Sequence, residues 1–358
     1  MKKLLIVTGG SGGHVAPSVS LFEHLKEKYS VKIVTDQRGK KFIDKKKYDY
    51  EVINVPNLFL KPYLLPIYVI KYFYNIFKSY KFIKKFGIEI VISTGGYMSL
   101  PFCIAAFILK KKIFLFEPNS VLGKSNKIAL NFSNKIICYH KNLKNFPTKY
   151  DFKKIIIKPI LKSQLYNLKK NSTKFDKKIS KILIIGGSQG ASFFDHKITE
   201  LMIKISKKHK IEIVQQIANK NLNLSIQEKY NKEKIKHVFF QFSDDYSKIY
   251  EKVDLAITRG GAGTLSELSF LRIPFVSIPL PTAKDNHQFY NSIYYYENNC
   301  SWILEQKNFE IIETSNFILK ILNNYNDYEI KINNLKDLTE KNTWNNINNH
   351  IIEIINEN

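Results

Sequence analysis

One short design occurs twice in this chain, and the repetition constrains its fold more than any other feature. Residues 8–14 read Thr8-Gly9-Gly10-Ser11-Gly12-Gly13-His14. They follow the apolar run KKLLIV and precede VAPSVSLFEHLKEK, where Val15, Val19, Leu21 and Leu25 fall at helical spacing. The order is strand, glycine turn, helix. It returns at Ile182 as ILIIGGSQGASFF, so that GGSGG and GGSQG are offset by 177 residues (Gly9 to Gly186). A second pair of strand-to-glycine turns follows in the same order, IVISTGGY in the first half and LAITRGGAG in the second. A glycine turn entering a helix aims backbone N–H groups from the positive end of the helix dipole, a setting that suits phosphate.

The remaining pattern agrees with a duplicated α/β architecture. LLIV, VKIV, IVIS and IFLF read as strands of the first half, and ILII, IEIV, LAIT and FVSI as strands of the second. Short apolar strands separated by helical segments imply parallel sheets with helices on both faces. The chain's 358 residues, 44% of them hydrophobic, suffice for two such domains. The Lys-rich stretch KPILKSQLYNLKKNSTKFDKK suggests the boundary, giving domains at 1–160 and 161–335 and a helical, Asn-rich tail at 336–358. Open doubly wound sheets bind ligands at the carboxyl ends of their strands. Two of them facing a cleft would bring glycine turns from both halves to one site, one phosphorylated ligand per domain.

Composition excludes several other readings. The net charge of +25 invites nucleic acid, but it is carried almost wholly by Lys, with Arg at 38, 259 and 272. Base-specific recognition leans on the bidentate Arg fork, so no nucleic-acid partner is expected. Cys103, Cys138 and Cys300 lie far apart without CxxC spacing, which predicts reduced structural thiols in a cytosolic setting. MKKLLIV imitates the start of a signal peptide, yet its apolar run stops at Thr8. LPFCIAAFIL, the longest uncharged apolar segment, is far short of a membrane span.

Two familiar phosphate motifs fail on inspection. GxGxxG counted from Gly10 meets Val15 where Gly is needed, and Asp36, placed to bind a ribose, is weak support for a dinucleotide site by itself. LGKS at 122–125 lacks the P-loop's first Gly, because position 118 is Pro. RGGAGTLSEL (259–268) is more informative. Its small residues admit a ligand to the backbone, Thr264 and Ser266 offer hydroxyls, and Glu267 falls on the first helical turn, where a carboxylate can accept both hydroxyls of a ribose. An ordinary capped helix would look the same. Asp285, His287, Gln288 and Asn291 then fall on a loop entering a helix, either a polar site or a solvated turn.

Five blocks, TGGSGGHVAPS, STGGYMSLP, EPNSVLGKSNK, IIGGSQGA and RGGAGTLSEL with DNHQFYN, stand in order from residue 8 to residue 291. In this set the chain resembles the MurG family, which transfers N-acetylglucosamine from UDP-GlcNAc to undecaprenyl-pyrophosphoryl-MurNAc-pentapeptide (lipid I), forming lipid II. The resemblance implies the GT-B fold, two Rossmann-like domains around a cleft, with a last helix that returns to the N-terminal domain. It places the donor on the C-terminal domain, with Ser188 at the UDP phosphates and Ala262, Gly263, Thr264, Leu265, Ser266 and Glu267 around the nucleotide, Glu267 on the ribose. Ser243 matches a position whose backbone meets uracil, and Gln288 one that reads sugar hydroxyls. Ser11, Gly12, Gly13 and Asn119 match donor-contacting positions of the other domain, while N–H groups of the first turn hold the acceptor's diphosphate. The expected partners are thus UDP-GlcNAc, lipid I, an anionic membrane surface and other cell-wall synthesis proteins, with no cofactor. One departure stands out. Where the family carries an Arg after a GNPV-like segment, this chain reads Lys158-Pro159-Ile160-Leu161, leaving Lys158 or Lys162 as a point charge without the guanidinium fork.

The implied reaction converts an α-glycosyl phosphate into a β-1,4 linkage and therefore inverts. In-line displacement needs a base for the acceptor hydroxyl and stabilisation of the departing UDP. The sequence has no DxD metal motif, so no metal is expected and helix N-termini are left to carry the leaving-group charge. His14 is the candidate base, since imidazole exchanges protons near neutral pH; capping the turn or binding diphosphate is its other reading. Tyr97 and Glu117, on neighbouring strand ends, are expected to position the acceptor or orient His14. Residues 64–86, LLPIYVIKYFYNIFKSYKFIKKF, form a long amphipathic pattern with Lys71, Asn75, Lys78 and Lys85 on one stripe and Lys81 and Lys84 at its flanks. Part of this surface must pack on the sheet; basic and aromatic residues beyond that suit anionic lipid, implying peripheral binding at the cytoplasmic membrane face. Two competing functions remain. A glycolipid transferase acting on diacylglycerol would share the donor loops but is not expected to share GGSGGH, GGYMS and EPN together. A non-catalytic nucleotide-sugar-binding subunit would lack half the site, whereas both halves are kept here.

Overall fold

A computed structural model of the chain describes residues 1–55, 65–168, 170, 179–187, 191–217, 222–241 and 246–357. Two compact units emerge, Met1–Ser163 completed by Lys341–Asn358, and Gln164–Glu340. The first unit carries β1 (Lys3–Val7), β2 (Ser30–Thr35), β3 (Tyr50–Val52), β4 (Ile90–Ser93), β5 (Lys112–Glu117), β6 (Lys135–Cys138) and β7 (Lys154–Ile156). They form one sheet in the order β3-β2-β1-β4-β5-β6-β7 with every pair parallel. The second unit carries β8 (Ile179–Ile185), β9 (Lys210–Gln216), β10 (Lys236–Phe240), β11 (Leu255–Thr258), β12 (Phe275–Ser277) and β13 (Trp302–Ile303). Their order is β10-β9-β8-β11-β12-β13, again all parallel. Counted from its own first strand, each sheet therefore begins 3-2-1-4-5-6. The order reverses between β1 and β4, and again between β8 and β11.

Burial on both faces explains why the central strands read as unbroken apolar runs. In β1 the side chains alternate. Leu4 and Ile6 join a core with Val15 and Val19 of the helix Gly12–Leu25, while Leu5 and Val7 join one with Ile83 and Phe102 from the helices Leu65–Phe86 and Ser99–Ile108. The final helix, Trp344–Glu357, sets Ile347, Ile351, Ile354 and Ile355 into the first of these cores at helical spacing. Trp344 stacks on His24 with ring centroids 3.9 Å apart. His24 Nε2 donates to the Leu161 carbonyl at 2.9 Å, and its Nδ1 meets Asn348. The units change over at 163/164 and 340/341 rather than at 160/161 and 335/336, because the helix Tyr325–Thr339 continues past 336 and keeps Leu335 and Thr339 buried in the second unit.

Candidate active site

All four glycine turns sit where the strand order reverses. The turn after β1 and Thr94-Gly95-Gly96 after β4 flank the first reversal; Gly186-Gly187 after β8 and Arg259-Gly260-Gly261 after β11 flank the second. At such a point, connections leave on opposite faces of the sheet and open a crevice at the strands' carboxyl ends.

In the first turn, Gly10 takes φ +86°, a conformation open to glycine. Its N–H donates to Asp36 Oδ1 at 3.0 Å, and Gly39 N–H donates to the same oxygen at 2.7 Å. The Tyr97 hydroxyl donates to Asp36 Oδ2 at 2.8 Å, and Arg38 Nε lies 3.5 Å from it. Burial by itself would push the Asp36 carboxyl up, but these four partners together hold it below the usual carboxylate range. Asp36 is therefore the brace of the turn, not a ribose ligand. Among the described residues, no acceptor faces the N–H groups of Ser11, Gly12 and Gly13, and the helix they open carries no acidic residue in its first turn.

His14, on that first turn, is half-buried. Its Nδ1 lies 2.9 Å from the Thr94 carbonyl. A carbonyl only accepts, so Nδ1 carries the proton and Nε2 keeps its lone pair in neutral imidazole. Thr8 and Thr94 hydroxyls both donate to the His14 carbonyl, at 2.9 and 3.0 Å. The ring lies against Gly95 and Gly96, at φ +88° and +82°; a Cβ on Gly95 would come within 3.3 Å of it. The expectation that Tyr97 or Glu117 orients His14 is not met: that role falls to the Thr94 backbone. Tyr97 is committed to Asp36. Glu117, buried at the end of β5, accepts from Asn119 N and Nδ2, Gly123 N and Asn126 Nδ2, and so closes the loop that follows. Leu161 is buried, which removes it from any ligand surface; Lys158 is exposed and Lys162 half-buried.

In the second unit, Gly187 N–H donates to Gln216 Oε1 at 2.9 Å, fixing the approach to the turn. Ser188 and Ser243 lie outside the described residues. A π-helical turn, Phe194–Ile198, follows and buries Asp195. Burial pushes the Asp195 carboxyl up to about 6, and its Oδ1 has no partner among the described residues. Nothing in the sequence had singled it out.

At RGGAG the glycines divide by function. A Cβ on Gly260 would stand 2.1 Å from the Gln288 carbonyl, so the close approach of the helix His287–Glu297 requires glycine there; Asn291 Nδ2 ties the two by donating to the Gly260 carbonyl at 3.0 Å. A Cβ on Gly261 or Gly263 would meet nothing within 4 Å, and Gly261 has an ordinary φ of −73°. Neither packing nor backbone geometry demands these two glycines, which open the helix Ala262–Phe270. Thr264 is half-buried on the same turn. Leu265 and Ser266 are buried, with Ser266 against the Tyr295 phenol, so the hydroxyl expected from Ser266 points inward. Glu267 Oε2 accepts from the Tyr250 hydroxyl at 2.6 Å. Gln288 Oε1 accepts from Leu280 N–H at 3.0 Å. Arg259 lies over Phe193 and Phe194 and donates to the Ile278 carbonyl and Gln306; burial lowers its guanidinium to about 10. Among the described residues no group of three His, Cys, Asp or Glu could hold a metal ion.

The helix Leu65–Phe86 turns its polar stripe differently from expectation. Asn75 is buried with Ser79 and Ile83. Outward face Ile70, Phe73, Tyr74 and Phe77, each more than half exposed, followed by Lys78, Lys81, Lys84 and Lys85. Asn75 can face inward because its Nδ2 donates to the Lys71 carbonyl one turn back, at 2.7 Å. Among the described residues no helix is long and apolar enough to cross a membrane.

Comparison with known proteins agrees with this picture. Residues 4–138 match the glycosyltransferase family 28 N-terminal domain and residues 181–346 the C-terminal domain. The UDP-N-acetylglucosamine–N-acetylmuramyl-(pentapeptide) pyrophosphoryl-undecaprenol N-acetylglucosamine transferase of Pelagibacter ubique is 43% identical, over 100% of this chain and 99% of its own length. Its namesake in Rickettsia canadensis is 35% identical over 94% of this chain and 95% of its own. The crystal structure of Acinetobacter baumannii MurG superposes with a TM-score of 0.76 at 21% identity, covering 99% of this chain and 100% of that one, which establishes the shared GT-B fold. The duplicated sheets, the four turns at their reversals and the full-length match place this chain in the MurG family of N-acetylglucosamine transferases.

Proposed function

We propose that the chain transfers N-acetylglucosamine from UDP-GlcNAc to the C4 hydroxyl of the MurNAc sugar in lipid I, with inversion, to give lipid II for peptidoglycan synthesis. Full-length identity to transferases of that name carries the reading. A diacylglycerol-type acceptor or a binding-only subunit has no comparable support.

The second unit takes the donor. Gly261 and Gly263 leave the start of the helix Ala262–Phe270 open, so a nucleotide can lie against its N–H groups. Glu267, held by Tyr250, accepts from the ribose, and the Gln288 amide donates to sugar hydroxyls. Ser188 and the second glycine turn take up charge on the departing UDP; Ser243 meets the base. The first unit takes the acceptor, its diphosphate on the N–H groups of Ser11, Gly12 and Gly13. His14 Nε2 removes the C4 proton while Thr94 holds the opposite nitrogen, and the developing imidazolium is stabilised by the carbonyl it already donates to. Asn119 contributes from the Glu117 loop. The aromatic and basic face of Leu65–Phe86 docks the enzyme peripherally on the cytoplasmic face of the membrane, where the undecaprenyl-linked acceptor resides.

Transfer of labelled GlcNAc from UDP-GlcNAc to a lipid I analogue, with and without EDTA, is the direct test. Label should enter the extractable lipid and survive EDTA. UDP-GlcNAc binding without transfer would reject lipid I as acceptor and turn attention to diacylglycerol.

A further inference from the structure

Asp195 is a buried acid beside the second glycine turn, and the reaction described above does not use it. The helical stretch from Ala191 to Ser206 follows that turn, and its backbone widens to π geometry over Phe194–Ile198. Such turns interrupt helices mostly at functional positions. This one lies directly behind the glycines, since a Cβ on Gly186 would stand 2.8 Å from Phe194 Cβ. Asp195 is 2% exposed there, and its Oδ1 meets no donor among the described residues.

The neighbouring groups are committed elsewhere. On the same helix His196, Lys197 and Glu200 are exposed, and Lys197 pairs with Glu200. His196 is the charge beside Asp195 that favours its carboxylate. From the helix Asn223–Lys232, the Tyr230 hydroxyl donates to Gln215 Oε1 at 2.6 Å. Gln215 Nε2 reaches Thr199 Oγ1 at 3.4 Å, and that hydroxyl donates its own proton to the Asp195 carbonyl at 2.8 Å. Arg259 lies over the Phe193 and Phe194 rings and turns its guanidinium to Ile278 and Gln306. Glu313 and Lys320 of the helix Ile311–Asn323 are exposed. Neither hydroxyl proton is left for the carboxylate, and an unpaired buried carboxylate is disfavoured against the neutral acid. Burial accordingly raises this group to about 6, within reach of neutral pH.

We propose that Asp195 is a positioning residue that couples donor binding to proton uptake: the diphosphate binds best with Asp195 neutral, and ionisation of Asp195 weakens its hold. The proposal rests on the reading of the second unit as the donor site and adds to it a built-in dependence on pH. A doubly ionised diphosphate at the start of this helix lies roughly 10 Å from Asp195, given a rise of about 1.5 Å per residue. Like charges at that range inside a protein disfavour one another by about tenfold in an equilibrium constant. By linkage, the bound donor raises the affinity of Asp195 for its proton by the same factor.

The test is calorimetric titration of the full chain with UDP-GlcNAc, whose diphosphate stays fully ionised over the range used, from pH 5 to pH 8. Wild type is set against Asp195→Asn, which keeps the shape and removes the titration. Asp195→Ser is the second variant should the amide fail to fold, and thermal denaturation verifies the folded state of each. The wild-type Kd should rise about tenfold between pH 5 and pH 8. Near pH 6.5 binding should take up about half a proton, read from the dependence of the enthalpy on the ionisation heat of the buffer. The variant should hold the acid-side affinity of wild type across the whole range and take up correspondingly less. The histidines of the second unit are common to both proteins and cancel in the difference. Parallel pH profiles in wild type and variant would overturn the proposal, as would equal proton uptake in both. Absence of UDP-GlcNAc binding at every pH would instead reject the donor reading on which it stands.

Discussion

His14 has its proton placed by the Thr94 peptide carbonyl, a group that replacing the Thr94 side chain does not remove. His14→Ala should lower kcat by about a hundredfold or more while leaving donor affinity near normal. Near-normal turnover would remove His14 from the chemistry. The RGGAG glycines invite a sharper comparison. Gly260→Ala must displace the Gln288 backbone and should cost about 3 kcal/mol in chemical denaturation. Gly263→Ala meets open space inside a helix and should stabilise by roughly 0.5–1 kcal/mol, yet raise the KM for UDP-GlcNAc at least about tenfold, because the methyl group fills room that the proposed donor site gives to the nucleotide. An unchanged KM would show the space to be incidental. Asp195 predicts a pH dependence. Its folded-state pKa, about 6, lies above the unfolded value. Its contribution to stability is therefore full at low pH and lost as pH rises from about 4 through about 6. Asp195→Asn escapes that loss and should exceed wild type by about 1–2 kcal/mol at pH 8, with the difference vanishing near pH 4. A difference independent of pH would reject the buried-carboxylate explanation.

At the level of elements, legibility followed burial. The eight strands read from sequence are β1, β2, β4, β5, β8, β9, β11 and β12, the first, second, fourth and fifth of each sheet. Most are covered on both faces, so their apolar runs are continuous. Of those not read, β3, β7, β10 and β13 are edge strands, with Val238 of β10 exposed and β13 only two residues long, whereas β6 is interior and buried and was missed in spite of that. The glycine turns were legible because glycine is costly anywhere else. Asp36 and Thr94 were not. One serves through a carboxylate that closes a turn 26 residues away in sequence, the other through its backbone, which sequence does not distinguish. The stripe on Leu65–Phe86 misled because Asn75 satisfies itself within its own helix and so can be buried, which left the aromatics to solvent. Phe73→Ser/Phe77→Ser should therefore cut binding to anionic vesicles by about tenfold or more without lowering the melting temperature, since both rings are already exposed in the folded chain. Unchanged sedimentation would remove this face from the membrane contact.

As a whole molecule, the chain is asymmetric in its connectivity although its sheets are alike. The second unit is one continuous segment, Gln164–Glu340, whereas the first draws on both ends of the chain. An isolated 164–340 fragment should fold cooperatively and bind UDP, with an affinity measurable by calorimetry. A chain ending at residue 340 should leave the first unit destabilised by several kcal/mol, because four isoleucines and the Trp344–His24 stack are withdrawn from its core. Two separate unfolding transitions, the earlier one belonging to the first unit, would be seen in the truncated chain. A single transition at the wild-type midpoint would show the last helix to be dispensable.

The closing helix also sets an order of events during synthesis. A ribosome releases the first sheet early, but the isoleucines that seal one of its faces are translated only after the whole second unit. The unit begun first is thus finished after the second, which can fold as soon as it emerges. A product terminated before that helix would carry a folded second unit attached to an unsealed first one, with apolar surface on display to proteases and chaperones. Completion of the first sheet therefore requires that synthesis has already passed through the whole of the second unit.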